Sequence, residues 1–202
     1  THIFARMCKM LEVAGIQTED ARPFLPPPPS TINVVREWIK KTIKPTKPFV
    51  LLHAGASLKR PEKKWPFFRD LALKLVENNF EIVWIGGPAD QNINARLSAD
   101  CGINTTNKFS IMELAELGRH AAFAVTNDSG PMHVLSASAI PVYGIYGPSD
   151  WTRNHALLQG KRVIAPPNRK NIKKNHATRN QDIAAITAAM VLERLKQDNL
   201  IP

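Results

Sequence analysis

The chain is predicted to be an α/β protein, with a Rossmann-like parallel sheet flanked by helices. Three observations lead there. From Pro48 onward, apolar runs of strand length alternate with longer stretches of helical periodicity. Four of the connecting segments carry turn residues in unusual combinations, "HAGAS", "GGPAD", "TNDSGPMH" and "YGPSD". Strands separated by helices need crossover connections, which pair the strands in parallel and place helices on both faces of the sheet. A chain of 202 residues that is 44% hydrophobic has enough apolar side chain to fill such a core.

The elements follow in order. Ile3, Phe4, Met7, Met10, Leu11 and Ala14 recur at helical spacing, and Gly15 is a reasonable stop. The next segment, "QTEDARPFLPPPPS", is polar and proline-rich; Pro26 to Pro29 favour a stiff extended connector and exclude a helix there. Ser30 is placed to cap a helix to about Lys41, with Ile32, Val35, Trp38 and Ile39 as its apolar face. "PFVLLHAG" reads as a strand entering a glycine turn, "WPFFRDLALKLVENN" as a helix, and "FEIVWIGGPAD" as a buried strand entering a second glycine turn. A helix from Asp90 to Ala99, a short segment near Ile103 and a helix begun by Ser110 come next. The third strong strand is Ala121 to Val125, followed by a helix from Gly130 to Ala139 and a strand from Pro141 to Ile145. A weaker strand at Arg162 to Ala165 and a helix over about Asn180 to Lys196 complete the set.

Composition narrows the function classes. A formal charge of +10 favours anionic partners: nucleotides, nucleic acid, a phosphorylated glycolipid or an acidic membrane surface. The basic stretch from Lys161 to Arg179 can contact phosphates or stand as a solvated loop, but no zinc-finger spacing, RNP pattern or recognition-helix motif accompanies it, so no specific nucleic-acid partner is expected. Cys8 and Cys101 provide neither a disulfide framework nor a CxxC knuckle. No apolar run reaches the roughly 18 residues of a membrane-spanning helix.

In open parallel sheets, ligands gather beyond the carboxyl ends of the strands. The four unusual loops all follow strands and therefore converge on that edge. In "HAGASLKRPEKKW", Gly55, Ala56 and Ser57 let backbone N–H groups approach an anion, and Lys63 or Lys64 can add a mobile charge. The Gly-Lys-Ser/Thr ending of a Walker A loop is absent, and "IGGPAD" lacks the GxGxxG dinucleotide fingerprint. Asp90 can accept hydrogen bonds from a ribose or base, or cap a surface helix.

"TNDSGPMH" admits three readings: a hydrolytic nucleophile, a metal site, or a helix start that holds an anion. Ser129 is not in GxSxG, and no histidine or cysteine cluster completes a metal site around Asp128 and His133. For the anion reading, the first N–H groups of a helix lack internal partners, Ser129 can cap or bond a phosphate, Gly130 permits close approach, and Pro131 suits the first turn. An ionised Asp128 repels a bare phosphate, so its expected work is to pin the turn or accept sugar hydrogens. His133 can stabilise a leaving diphosphate or sit as an ordinary helix histidine.

"VTNDSGPMHVLSASAIPVYGIYGPSD", taken with "LLHAGAS", "KKW" and "WIGGPAD", closely resembles the C-terminal domain of bacterial ADP-heptose:lipopolysaccharide heptosyltransferases, glycosyltransferase family 9, over roughly Pro48 to Leu195. The resemblance implies a GT-B architecture of two Rossmann-like domains, an ADP-sugar donor held mainly by the C-terminal one, and inverting transfer without a metal or other cofactor. It assigns the donor site to Gly55, Ala56, Ser57, Asp90, Met112, Asp128, Ser129, Gly130 and His133. Lys64, with Lys63 as close rival, becomes the phosphate contact; Lys64 and His133 stabilise the leaving group; and Gly147, Pro148 and Asp150 match a further loop.

The resemblance also places an acceptor site and a catalytic aspartate in an N-terminal domain for which this chain has no room. Residues 1–47 then read as the end of that domain, a proline-rich linker and a lead-in helix, and 48–202 as the donor-binding domain. The missing initiating Met fits a fragment or a processed product, poorly active alone. The implied partners are ADP-heptose and, through the missing domain, the lipopolysaccharide inner core. The implied location is the cytoplasm, at the inner face of the bacterial inner membrane, with peripheral contact to anionic lipid.

Overall fold

A computed structural model describes residues 2–18, 23–44, 46–166 and 182–202. Six parallel strands form one sheet in the order β3-β2-β1-β4-β5-β6: β1 (Phe49–His53), β2 (Glu81–Trp84), β3 (Ile103–Asn104), β4 (Ala124–Asn127), β5 (Val142–Ile145) and β6 (Val163–Ile164). The helices are α1 (Ile3–Val13), α2 (Pro29–Thr42), α3 (Phe68–Glu77), α4 (Gln91–Asp100), α5 (Ile111–His120), α6 (Gly130–Ser136), α7 (Trp151–Asn154) and α8 (Ala188–Gln197). The strand order reverses direction between β1 and β4, which makes that gap the switch point where a doubly wound sheet opens a crevice.

Every side chain of β1 is buried, which is why "FVLLH" is a nearly continuous apolar run. Alternation splits the run between two cores. Val50 and Leu52 meet Trp65, Phe68, Leu71, Leu75, Val191 and Leu195 beneath α3 and α8. Phe49 and Leu51 meet Val35, Leu117, Met132 and Leu135 beneath α2, α5 and α6. Each fully buried leucine or phenylalanine contributes about 2–3 kcal/mol relative to exposure, so the sheet is a rigid floor for the loops above it. None of the described helices is long and apolar enough to cross a membrane.

Several boundaries differ from expectation for identifiable reasons. The helix α2 begins at Pro29 with Pro28 as its N-cap, so the last of the four prolines is helical and Ser30 lies inside the first turn without capping. Proline tolerates that position because its missing N–H would have no helical partner there. Ser110 does cap α5, in a reciprocal capping box with Glu113. The helix α3 starts at Phe68 rather than Trp65, whose N–H is engaged by Asn127 Oδ1 at 3.1 Å. Ala121 ends α5, and β4 shifts to Ala124–Asn127, which carries Thr126 and Asn127 into the sheet. The helix at "GPMHVLS" stops at Ser136, three residues short of Ala139. A short α7, capped by Asp150, was not expected. Of the last helix, Ala188–Gln197 is observed with Thr187 as its cap; the expected start at Asn180, and Arg169 to Arg179 of the basic stretch, lie outside the described residues. The apolar side of α1 buries no residue: Ile3, Met7, Met10, Leu11 and Val13 are exposed.

Candidate functional site

The loops after β1, β2, β4 and β5 meet at the switch point, and buried polar side chains tie three of them together. Asn127, fully buried at the end of β4, donates to the carbonyls of Ala54 and Gly55 at 2.9 and 3.0 Å while accepting the Trp65 N–H. Both ends of the glycine loop are thereby stapled to β4. Trp65 adds an anchor, since its indole N–H donates to the Ile186 carbonyl at 2.6 Å.

Asp90 occupies a different place from the one its sequence position implies. It stands at the N-cap position of α4 but makes no side-chain cap bond there; it is 8% exposed, and its carboxylate turns back into the sheet edge and accepts the Gly87 N–H at 3.0 Å. Its Oδ2 lies 3.3 Å from His53 Nε2. Gly55 and Gly86 make this possible. A Cβ on Gly55 would stand 1.9 Å from Asp90 Oδ1, and one on Gly86 would stand 2.6 Å from Oδ2. The space that Gly55 leaves open therefore belongs to Asp90 in this structure, not to an anion. Burial works to raise the Asp90 pKa, but the His53 hydrogen bond, the Gly87 N–H and the charge of Lys64 together hold it below the ordinary carboxylate value.

Asp128 is pinned on both oxygens, by Lys63 Nζ at 2.7 Å and by Asn154 Nδ2 at 3.1 Å. This matches the turn-pinning role and brings α7, through Asn154, into the site. Ser129 does not cap α6: its Oγ lies 3.0 Å from His53 Nδ1 and 3.1 Å from the Asn127 carbonyl. A seven-residue α6 carries little macrodipole, so attraction for an anion rests on side chains more than on the helix. Gly130, by contrast, has no atom within 4 Å of where a Cβ would stand, which leaves its backbone open to approach.

The two rival lysines part company here. Lys63 reaches into the site and meets Asp128, whereas Lys64 is half-buried, forms no ion pair among the described residues, and acts on Asp90 by charge alone. His133 is exposed on α6; partial desolvation holds its pKa below the ordinary imidazole value, with Asp128 opposing that shift and His2 and His155 adding to it. Ala56 is buried and Ser57 exposed, its Oγ taken by the Lys59 N–H. Met112 lies half-buried in the first turn of α5, at the β3 side of the same edge. Gly147 is closed off, since a Cβ there would meet Ile183 at 2.6 Å. Among the described residues, no group of three or more His, Cys, Asp or Glu could hold a metal.

A cavity of about 770 Å³ lies elsewhere, lined by Phe24, Arg119, Ile140, Leu157 and Arg162 among others. Those residues precede β4, β5 and β6, so the cavity sits at the amino ends of the strands. It is the wrong edge for the chemistry that the loops assemble.

Three residues that the sequence reading did not assign prove central: His53, Asn127 and Asn154. A polar residue closing an otherwise apolar strand is the signal His53 offered. Asn127 stood next to the aspartate in "TND", and nothing near Asn154 pointed to Asp128.

The doubly wound sheet, with its loops gathered at the switch point, is a Rossmann-like domain, and its fold matches that of GT-B glycosyltransferases. More particularly, the chain belongs to glycosyltransferase family 9 (heptosyltransferase), whose model matches residues 25–184. It is 29% identical over 148 residues to lipopolysaccharide heptosyltransferase 2 of Escherichia coli, covering 67% of this chain and 42% of that protein. Lipooligosaccharide heptosyltransferase 2 of Haemophilus influenzae is 25% identical over 179 residues, covering 80% and 51%. The chain thus spans about half the length of the curated relatives it matches. Among solved structures, a family 9 glycosyltransferase from Veillonella parvula superposes with a TM-score of 0.83 at 21% identity, over 97% of this chain and 59% of that one. The E. coli heptosyltransferase WaaC solved with ADP superposes at 0.66 with 18% identity, over 93% and 53%.

Proposed function

We propose that this chain is the donor-binding half of an enzyme that transfers heptose from ADP-L-glycero-D-manno-heptose to the lipopolysaccharide inner core. The observation that carries the reading is the convergence of Lys63, Lys64, Ser129 and the open Gly130 on the switch point of a family 9 domain. In the proposed reaction, an acceptor hydroxyl attacks the anomeric carbon, the bond to the diphosphate breaks, and configuration inverts. Residues 48–202 hold the donor; the carboxylate that takes the hydroxyl proton lies outside this chain, in an N-terminal domain. No metal takes part. The lysines and Ser129 accelerate the step to the extent that their interaction with ADP strengthens as charge leaves the sugar. Asp128, with both oxygens engaged, holds the loop and keeps Lys63 aimed. Asp90 and Met112 form the nucleoside side of the site, and His133 the outer rim near the leaving diphosphate. The complete enzyme works in the cytoplasm against the inner membrane, where its acceptor is anchored.

Calorimetric titration with ADP tests the donor half. Binding that weakens in Lys63→Ala and Lys64→Ala is the expected outcome; no binding, or equal affinity in all three proteins, refutes the assignment. A transfer assay on the full-length parent, with ADP-heptose and a heptose-deficient core, tests the whole reaction.

A further inference from the structure

Ser129 Oγ carries one proton and already has two acceptors in reach, the Asn127 carbonyl at 3.1 Å and His53 Nδ1 at 3.0 Å. The other ring nitrogen of His53 faces Asp90 Oδ2 at 3.3 Å. An ionised carboxylate only accepts hydrogen bonds, so the proton of a neutral His53 belongs on Nε2, and Nδ1 presents a bare lone pair to Ser129. The resting chain runs from the Gly87 N–H to Asp90, from His53 to Asp90, and from Ser129 to His53 or to Asn127.

A phosphate oxygen arriving at Ser129 needs the hydroxyl proton for itself. Once Ser129 gives it, Oγ and Nδ1 confront each other as two acceptors, beside an imidazole only 3% exposed, where water has little access. One event relieves the conflict. A proton taken from solvent onto Nδ1 lets His53 donate to Ser129 Oγ while the hydroxyl turns to the anion. The imidazolium so formed is paired with Asp90, and no bond of the ligand is broken.

We propose that His53 is a positioning residue that takes up a proton when a phosphate-type anion binds at Ser129, coupling anion affinity to protonation through the Asp90–His53–Ser129 chain. The inference rests on the donor-diphosphate reading above. The charged groups around the chain are few. Asp90 comes from the loop after β2, Lys64 acts on Asp90 by charge, and the Lys63–Asp128 pair stands one residue from Ser129. His133 of α6 couples to Asp128, and the strand neighbours of His53, Thr126 on β4 and Trp84 beside Leu52 on β2, carry no charge.

The test is titration of ADP into the whole chain, at a pH above the last ionisation of free ADP, in buffers of different ionisation enthalpy. The dependence of the observed heat on the buffer counts the protons taken up. The wild-type chain takes up protons on binding; His53→Gln and Ser129→Ala bind more weakly, and their proton uptake falls toward zero. Ser129→Ala keeps the imidazole and removes only the conflict, so a mere packing defect would not abolish its uptake. It also decides the matter if His53→Gln does not fold, because Ser129 is only half-buried. Wild-type binding without buffer dependence, or undiminished uptake in Ser129→Ala, overturns this inference alone. Failure of the folded wild-type chain to bind ADP overturns it together with the donor reading.

Discussion

The two edges of the sheet both bury polar side chains, but they use them differently. At the amino edge, Gln159 accepts the Val142 N–H at 2.8 Å and donates to the Ile140 carbonyl at 3.0 Å, and Ser138 donates to the Ala115 carbonyl at 2.6 Å. These bonds hold backbone groups and close the fold, with Gln159 Oε1 also accepting from Arg162 Nη1 at 3.3 Å. At the carboxyl edge, His53, Asp90, Lys63, Asp128 and Ser129 bond to one another across loops from three strands. Groups that satisfy one another can be rearranged by a proton or by a charged ligand; groups that satisfy a strand cannot. The cavity at the amino edge is large, and Arg119 on its wall pairs with the buried Glu116, but Glu116, Arg119 and His120 all belong to α5, whereas the carboxyl-edge network joins loops from three strands.

Asn127 and Gln159 give the largest expected effects and separate the two edges. Alanine at either position strands buried backbone groups and costs about 2–4 kcal/mol of stability, read from urea unfolding. Only Asn127→Ala also weakens ADP binding, because it frees the glycine loop; equal ADP affinity in the two variants would break the distinction. Next comes the Lys63–Asp128 pair, whose side chains are 16% and 5% exposed. Lys63→Ala leaves an uncompensated carboxylate facing the diphosphate, so ADP affinity falls about tenfold or more, roughly 1.4 kcal/mol. The loss exceeds that in Lys64→Ala, and adding Asp128→Asn to Lys63→Ala recovers part of it in the same calorimetric titration.

Acid sensitivity belongs to the carboxyl edge as well. His133 and His155 are held below the ordinary imidazole pKa, mainly by desolvation. The unfolded chain therefore takes up protons first, beginning at about pH 6.5, and stability falls from there down to the folded-state values. Thermal unfolding at about pH 5.5 occurs at a lower temperature than at about pH 7.5, and the difference shrinks in His133→Gln/His155→Gln. The smallest effects fall on the helix starts: Ser110→Ala costs about 1 kcal/mol with ADP affinity unchanged, and Ser30→Ala less than about 0.5 kcal/mol.

The middle of the sheet was legible because strands such as "FVLLH" and "IVWIGG" are apolar on both faces and leave no competing periodicity, whereas the two-residue β3, with an exposed Asn104, read only as a short segment. The helix of Ser110 was legible because its capping box is local. Boundaries failed where tertiary bonds compete with local preference, as when Asn127 holds the Trp65 N–H and delays α3. The site was legible as a set of loops, since the carboxyl ends of parallel strands must share an edge. Its internal wiring was not. Asp90 sits 37 residues from His53, and Asn154 sits 26 from Asp128, distances over which sequence spacing says nothing about contact. Gly55 illustrates the point: the residue type correctly announced a close approach, but the group that approaches is Asp90.

The central claim is that the ligand edge lies at the β1–β4 switch point. The most direct measurement is a map of backbone amide shifts during ADP titration of the isotopically labelled chain. The expected result is movement at Gly55 to Ser57, Gly86, Gly87 and Asp128 to His133, with Ser138 to Ile140 and Leu157 to Arg162 unmoved. Shifts confined to the amino-edge residues, with the switch-point loops silent, would contradict it.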